Sequence, residues 1–89
     1  MAAYEISWIK ADKVLYVCYH GYQTSQTIKG CLDDEAAMLD QTPKPVAVIV
    51  DWSDVPSVEP GALTAHINHR LYTHPHGKFV NLVGFDKLE

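Results

Sequence analysis

The chain has 89 residues, 47% of them hydrophobic, and 11 acidic side chains against 7 Lys and Arg give a net charge of −4 at pH 7. A chain this short hides only about 60–65% of the surface its unfolded form exposes, so residues 1–89 make one small domain with a thin core. The cations are scattered, with Lys10, Lys13, Lys29 and Lys44 in separate segments, which excludes the clustered footprint that nucleic acid or an anionic membrane requires.

No apolar run approaches the roughly 20 residues that span a bilayer, and the N-terminus lacks the charged and apolar regions of a signal peptide. A cytoplasmic location follows as the expectation. Cys18 and Cys31 have neither CxxC spacing nor the density of a disulfide scaffold, and read as two small buried hydrophobes in a reducing compartment.

Tyr4–Ile9 alternates apolar and polar residues through Trp8, as a strand with one wet face would. Ala11-Asp12-Lys13 reads as a hairpin turn into Val14–His20, a segment β-branched and aromatic on both faces and so suited to the sheet interior. These two strands should pair antiparallel. Thr24 or Ser25 can cap a helix that carries Ile28, Cys31, Leu32, Ala36 and Leu39 at helical spacing up to Gln41. Gly30 inside it costs about 1 kcal/mol relative to Ala and points to close packing against a strand.

Pro43 and Pro45 stop the helix and lead into Val46–Val50, a continuous apolar run expected at the centre of a parallel sheet. A polar turn is expected at Asp51. Ala62, Leu63, Ala65, His66, His69, Arg70 and Tyr72 then suggest a second helix of roughly three turns, with Pro60 tolerated at its start. Phe79–Phe85 supplies a fourth strand. The expected fold class is α/β: β-β-α-β-α-β, a four-stranded mixed sheet with two helices mainly on one face.

The stretch from Val50 to Leu63 resembles the signature loop of STAS domains, the fold of bacterial anti-sigma-factor antagonists. Asp51, Ser53, Val55, Val58 and Leu63 fall into its register and Glu59 takes the acidic position. Pro60 and Gly61 occupy the two hydroxyl positions that would carry the phosphorylation switch. Within that superfamily the chain looks nearer to the SpoIIAA-like group, whose loop often lacks the phosphorylatable serine. The family usually continues past the fourth strand with a further helix, whereas this chain stops four residues after Phe85. The terminal Leu88-Glu89 also looks like a cloning-site remnant, so a chain truncated at its C-terminus is expected.

A sheet missing one covering helix exposes an apolar patch, and self-association follows, by strand addition or element swapping at an edge strand, Tyr4–Ile9 or Phe79–Phe85. The resemblance implies a non-enzymatic protein-interaction or regulatory module with a protein partner or a second copy. The alternative it implies is a small apolar-ligand, lipid-like binding domain.

Two groups of residues are candidates for function. Trp52, Ser53, Asp54, Ser57, Glu59, His66 and His69 form a candidate interaction surface along the loop and second helix, and Trp52 suits either an interface anchor or a cover over the core. His20, Tyr22 and Asp51 form a candidate strand-end site, because ligands in open α/β sheets collect outside the carboxyl ends of the strands. Local hydrogen bonds of Asp51 and Ser53, and Glu59 near a helix N-terminus, are the simpler account.

His66 and His69 share a helical spacing and His74 and His76 flank Pro75, yet no Cys pair or His-Glu-x-x-His pattern accompanies them; a half-wet helix face and an exposed turn explain them without metal. No Gly-x-Ser-x-Gly elbow exists, and neither cysteine has a sequence-local base. No catalytic residue, metal or cofactor is assigned.

Overall fold

A computed structural model describes residues 2–83, the last five by their backbone. The elements are β1 (Tyr4–Lys10), β2 (Val14–His20), α1 (Ser25–Asp40), β3 (Val46–Asp54), a 3-10 turn (Arg70–Thr73) and β4 (Gly77–Val83). They build one four-stranded sheet in the order β1-β2-β3-β4, with β1 antiparallel to β2 and the other neighbours parallel. β1 and β4 are therefore the edges, and the two apolar strands lie inside. Asp12 takes the left-handed conformation (φ 58) that closes the β1–β2 turn, a geometry its short polar side chain tolerates.

The parallel β2–β3 pair demands a crossover, and α1 provides it. Thr24 caps the helix with a reciprocal box: its hydroxyl accepts from the Thr27 amide at 3.1 Å, and the Thr27 hydroxyl accepts from the Thr24 amide at 2.9 Å. Ile28, Cys31, Leu32, Ala36 and Leu39 turn inward onto Leu15, Val17, Val46, Val48 and Val50 in one cluster. Gly30 marks the expected close approach, since a Cβ there would lie 3.4 Å from the Tyr4 hydroxyl of β1.

Three expectations need correction. The second helix is absent: residues 60–68 are consecutive turns, followed by the 3-10 turn. Its amides bond mostly three residues back, as in His69 to His66 and Tyr72 to His69, and the four-residue bond from Ala65 to Gly61 does not repeat. Thr64, His66, Ile67, Asn68 and His69 are poor helix formers, Gly61 enters with φ 81, and of the apolar side chains from 62 to 72 only Ala62 and Leu71 are fully buried.

The strand does not end at Asp51. β3 continues to Asp54 because the alternation of Val46, Val48, Val50 and Trp52 toward the core persists. Trp52 itself is 5% exposed and stacks on Tyr19 with ring centroids 4.2 Å apart, so it covers the core. The fourth strand begins at Gly77, two residues before Phe79; Gly84 and Phe85 lie outside the described residues.

Candidate functional site

At the carboxyl ends of β2 and β3 the register pairs His20 with Asp54. His20 Nδ1 lies 2.8 Å from an Asp54 carboxylate oxygen and its Nε2 lies 3.3 Å from Glu5. The two carboxylates, Asp54 first, hold the imidazole above its ordinary pKa. Tyr22, half exposed, joins Ala2, Ala3, His20, Gly21, Asp54 and Pro56 around a shallow cleft of ≈ 550 Å³. Asp51 is engaged one row below. It accepts from the Ser53 amide at 2.8 Å, from the Ser53 hydroxyl and from the Tyr16 hydroxyl. Those bonds keep its carboxyl below the usual range, the Ser53 hydroxyl contributing most, and push the Tyr16 phenol well up. The strand-end residues are thus split: His20 joins Asp54, and Asp51 joins Tyr16 and Ser53.

The loop from Val55 to Glu59 is fastened from beneath by Gln23, a fully buried side chain that the sequence reading missed. Its amide nitrogen donates to the Ala3 and His20 carbonyls, both at 2.8 Å, and its oxygen accepts from the Thr27 hydroxyl at 2.9 Å. The main chain of Gln23 also receives the Glu59 amide at 2.8 Å and donates to the Ser57 carbonyl at 3.4 Å. Glu59 then reaches the first turn of α1 and accepts the Ser25 amide at 3.0 Å. That helix has no acidic residue in its own first turn, so the loop supplies the missing negative charge at its positive end.

The histidines of the irregular segment work as fasteners along α1. His66 meets the Ser25 hydroxyl at 2.9 Å, His69 meets Asp33 at 2.6 Å, His74 meets Asp40 at 2.7 Å, and His76 meets the Thr42 hydroxyl at 3.1 Å. In His69 and His74 the other ring nitrogen accepts a backbone amide, that of Leu71 and of His76, both at 3.0 Å. These acceptors fix the tautomer with the proton on Nε2, facing the carboxylate. Asp33, paired with Lys29 and His69, and Asp40, paired with Arg70 and His74, are each lowered to about 2. Among the described residues no group of three or more His, Cys, Asp or Glu could hold a metal ion.

Glu35 is the exception to this thorough pairing. It is 1% exposed on the core side of α1, its Oε1 has no partner, and the Cys31 thiol donates to Oε2 at 3.6 Å. Burial raises its carboxyl from 4.5 to about 8. Helical spacing places residue 35 beside 28, 31, 32 and 39 on the apolar stripe, and that was the available signal; an acidic run from Asp33 to Glu35 obscured it.

The sheet face opposite α1 has no described helix over it. The register sets three rows across it. Lys10, Val14, Ala47 and Lys78 form the first, Ser7, Tyr16, Ile49 and Asn81 the second, and Glu5, Cys18, Asp51 and Val83 the third. Val14, Tyr16, Cys18, Ala47 and Ile49 are only half-buried there, and α1 gathers its core on the other side. Of the expected interaction residues, Ser53, Asp54 and Ser57 are exposed, whereas Trp52, Glu59, His66 and His69 are turned inward or bonded to α1 or its first turn.

No protein-family model matches this chain, and no curated protein matches it. No helix among the described residues is long and apolar enough to cross a membrane.

Proposed function

We propose that this protein is a non-enzymatic interaction module of regulatory, STAS/SpoIIAA-like type, and that it meets its protein partner through the bare face of the sheet. One observation carries the reading: Val14, Tyr16, Cys18, Ala47 and Ile49 form a contiguous, half-exposed field with no described helix over it, and fields of this kind mark interaction sites. The polar members suit a covered surface, because the Tyr16 hydroxyl and the Asp51 carboxylate satisfy each other within the sheet.

The chemistry supports binding over catalysis. Burial raises the Cys18 thiol above its ordinary pKa, the wrong direction for a nucleophile, and both nitrogens of His20 are engaged by carboxylates. The β-β-α-β opening and the residue pattern from Asp51 to Leu63 support the family likeness, and Pro60 and Gly61 in the hydroxyl positions favour constitutive docking over a phosphorylation switch.

Cys18 tests the reading, with buried Cys31 as the internal control for unfolding. Thiol labelling of Cys18 should be slower in intact cells producing the protein than in dilute purified protein. Equal labelling rates would overturn the assignment of this face.

A further inference from the structure

Resting on that reading, we propose that the partner is a second copy of this chain, docked face to face about a two-fold axis that lies between the sheets and runs across the strands along the Tyr16–Ile49 row. Charge selects this arrangement. The row at the start of β2 and β3 carries Lys10 and Lys78, both exposed, at its two outer ends, and the row near their finish carries Glu5 and Asp51. The apolar pair Tyr16 and Ile49 lies between them.

A two-fold axis parallel to the strands through the centre of the field would set each row on itself, with Lys10 of each copy opposed to Lys78 of its mate and the Glu5 and Asp51 carboxylates of both copies in one layer. An axis across the strands reverses one sheet over the other. Lys10 of each copy then faces Glu5 of its mate, while Tyr16 and Ile49 meet their own counterparts at the axis. The surface is self-complementary in the isologous sense that a two-fold dimer requires, and like-charge opposition is what rules out the other docking. Glu5 is 72% exposed at its side chain and holds His20 at 3.3 Å, so the incoming ammonium group joins that exposed pair.

The field is small. Four strands about 4.8 Å apart and seven residues long at about 3.3 Å each give roughly 20 by 20 Å per copy, smaller than a standard specific interface and of the size of a weak, transient contact. A dimer that dissociates in the micromolar range is therefore expected.

Sedimentation equilibrium on the purified chain tests the proposal, with circular dichroism confirming that each variant is folded. Lys10→Glu alone and Glu5→Lys alone should each weaken the dimer by about tenfold or more. An equimolar mixture of the two should recover it as a heterodimer, because every opposed pair is then of opposite charge. Ile49→Lys should abolish it by setting two ammonium groups against each other at the axis. A dimer indifferent to Ile49→Lys and to both charge reversals would place the contact at an edge strand and overturn the proposal. A monomer at all concentrations whose Cys18 is still protected in cells would remove the second copy and leave the interaction face standing; Cys18 open in both settings would remove both.

Discussion

The two faces of β2 are made of similar residues and meet different fates. Leu15, Val17 and Tyr19 are at most 1% exposed beneath α1, whereas Val14, Tyr16 and Cys18 on the opposite side remain half-buried. Apolar content on both sides of a strand indicates an interior position, which β2 and β3 occupy. It does not say whether the second face is covered by the chain's own helix or by something from outside. The difference lies in where the chain's covering segments land: α1 and the turns from 62 to 74 all pack on the side of Leu15, Val17 and Tyr19.

Truncating one residue on each face gives the largest contrast. Leu15→Ala should cost about 3 kcal/mol by opening a cavity under α1, and Ile49→Ala under about 1 kcal/mol in the monomer, because that side chain is already half in water. Urea denaturation of both at concentrations below dimer formation checks the pair; equal losses would mean the faces are not distinct.

Glu35 sharpens the packed side of the comparison. Its carboxyl is raised from 4.5 to about 8, so between those values the unfolded chain ionises while the folded chain keeps the proton. The stability this group allows is complete below about pH 4.5, declines as pH rises toward 8, and is flat beyond. Glu35→Gln should stabilise the fold by roughly 3 kcal/mol at pH 7, with the gain vanishing near pH 4. Denaturation curves at the two pH values read this directly.

Gln23→Ala should cost about 2 kcal/mol, since it removes the buried bonds of this amide to the Ala3 and His20 carbonyls and to the Thr27 hydroxyl. Thermal unfolding measures the loss, and faster amide exchange of Glu59 would show that the loop has come free. Thr24→Ala should cost about 1 kcal/mol through the lost cap.

The smallest effect belongs to the exposed strand end. Asp54→Asn should lower the pKa of His20, followed by proton NMR, because Asp54 is the main reason it is raised. The sign follows from the direction of the shift: the contribution of His20 is complete below its ordinary value and is lost as pH rises through the raised one.

Much of the architecture was legible because it depends on local patterns. Alternation and β-branching located β1, β2 and β3, the prolines bounded α1, and the inward stripe of α1 and a hydroxyl cap at Thr24 or Ser25 follow from apolar spacing and residue type, the structure choosing Thr24. The interaction residues were less legible, because Trp52 stands at a position where exposure and burial look alike, and Glu59, His66 and His69 gained their partners from α1, more than thirty residues away in the chain.

The residues by themselves determined an α/β chain with two apolar interior strands and one amphipathic crossover helix, since periodicity is a property of neighbours. Tertiary structure decided the rest. It held residues 60–76 as turns pinned by histidines instead of a helix, extended β3 to Asp54, enclosed Glu35 with one carboxylate oxygen unpartnered, and left one sheet face with no described helix over it. Each of these depends on which groups from distant segments arrive at the same place, and competition between local propensity and such contacts is settled only when the chain closes on itself.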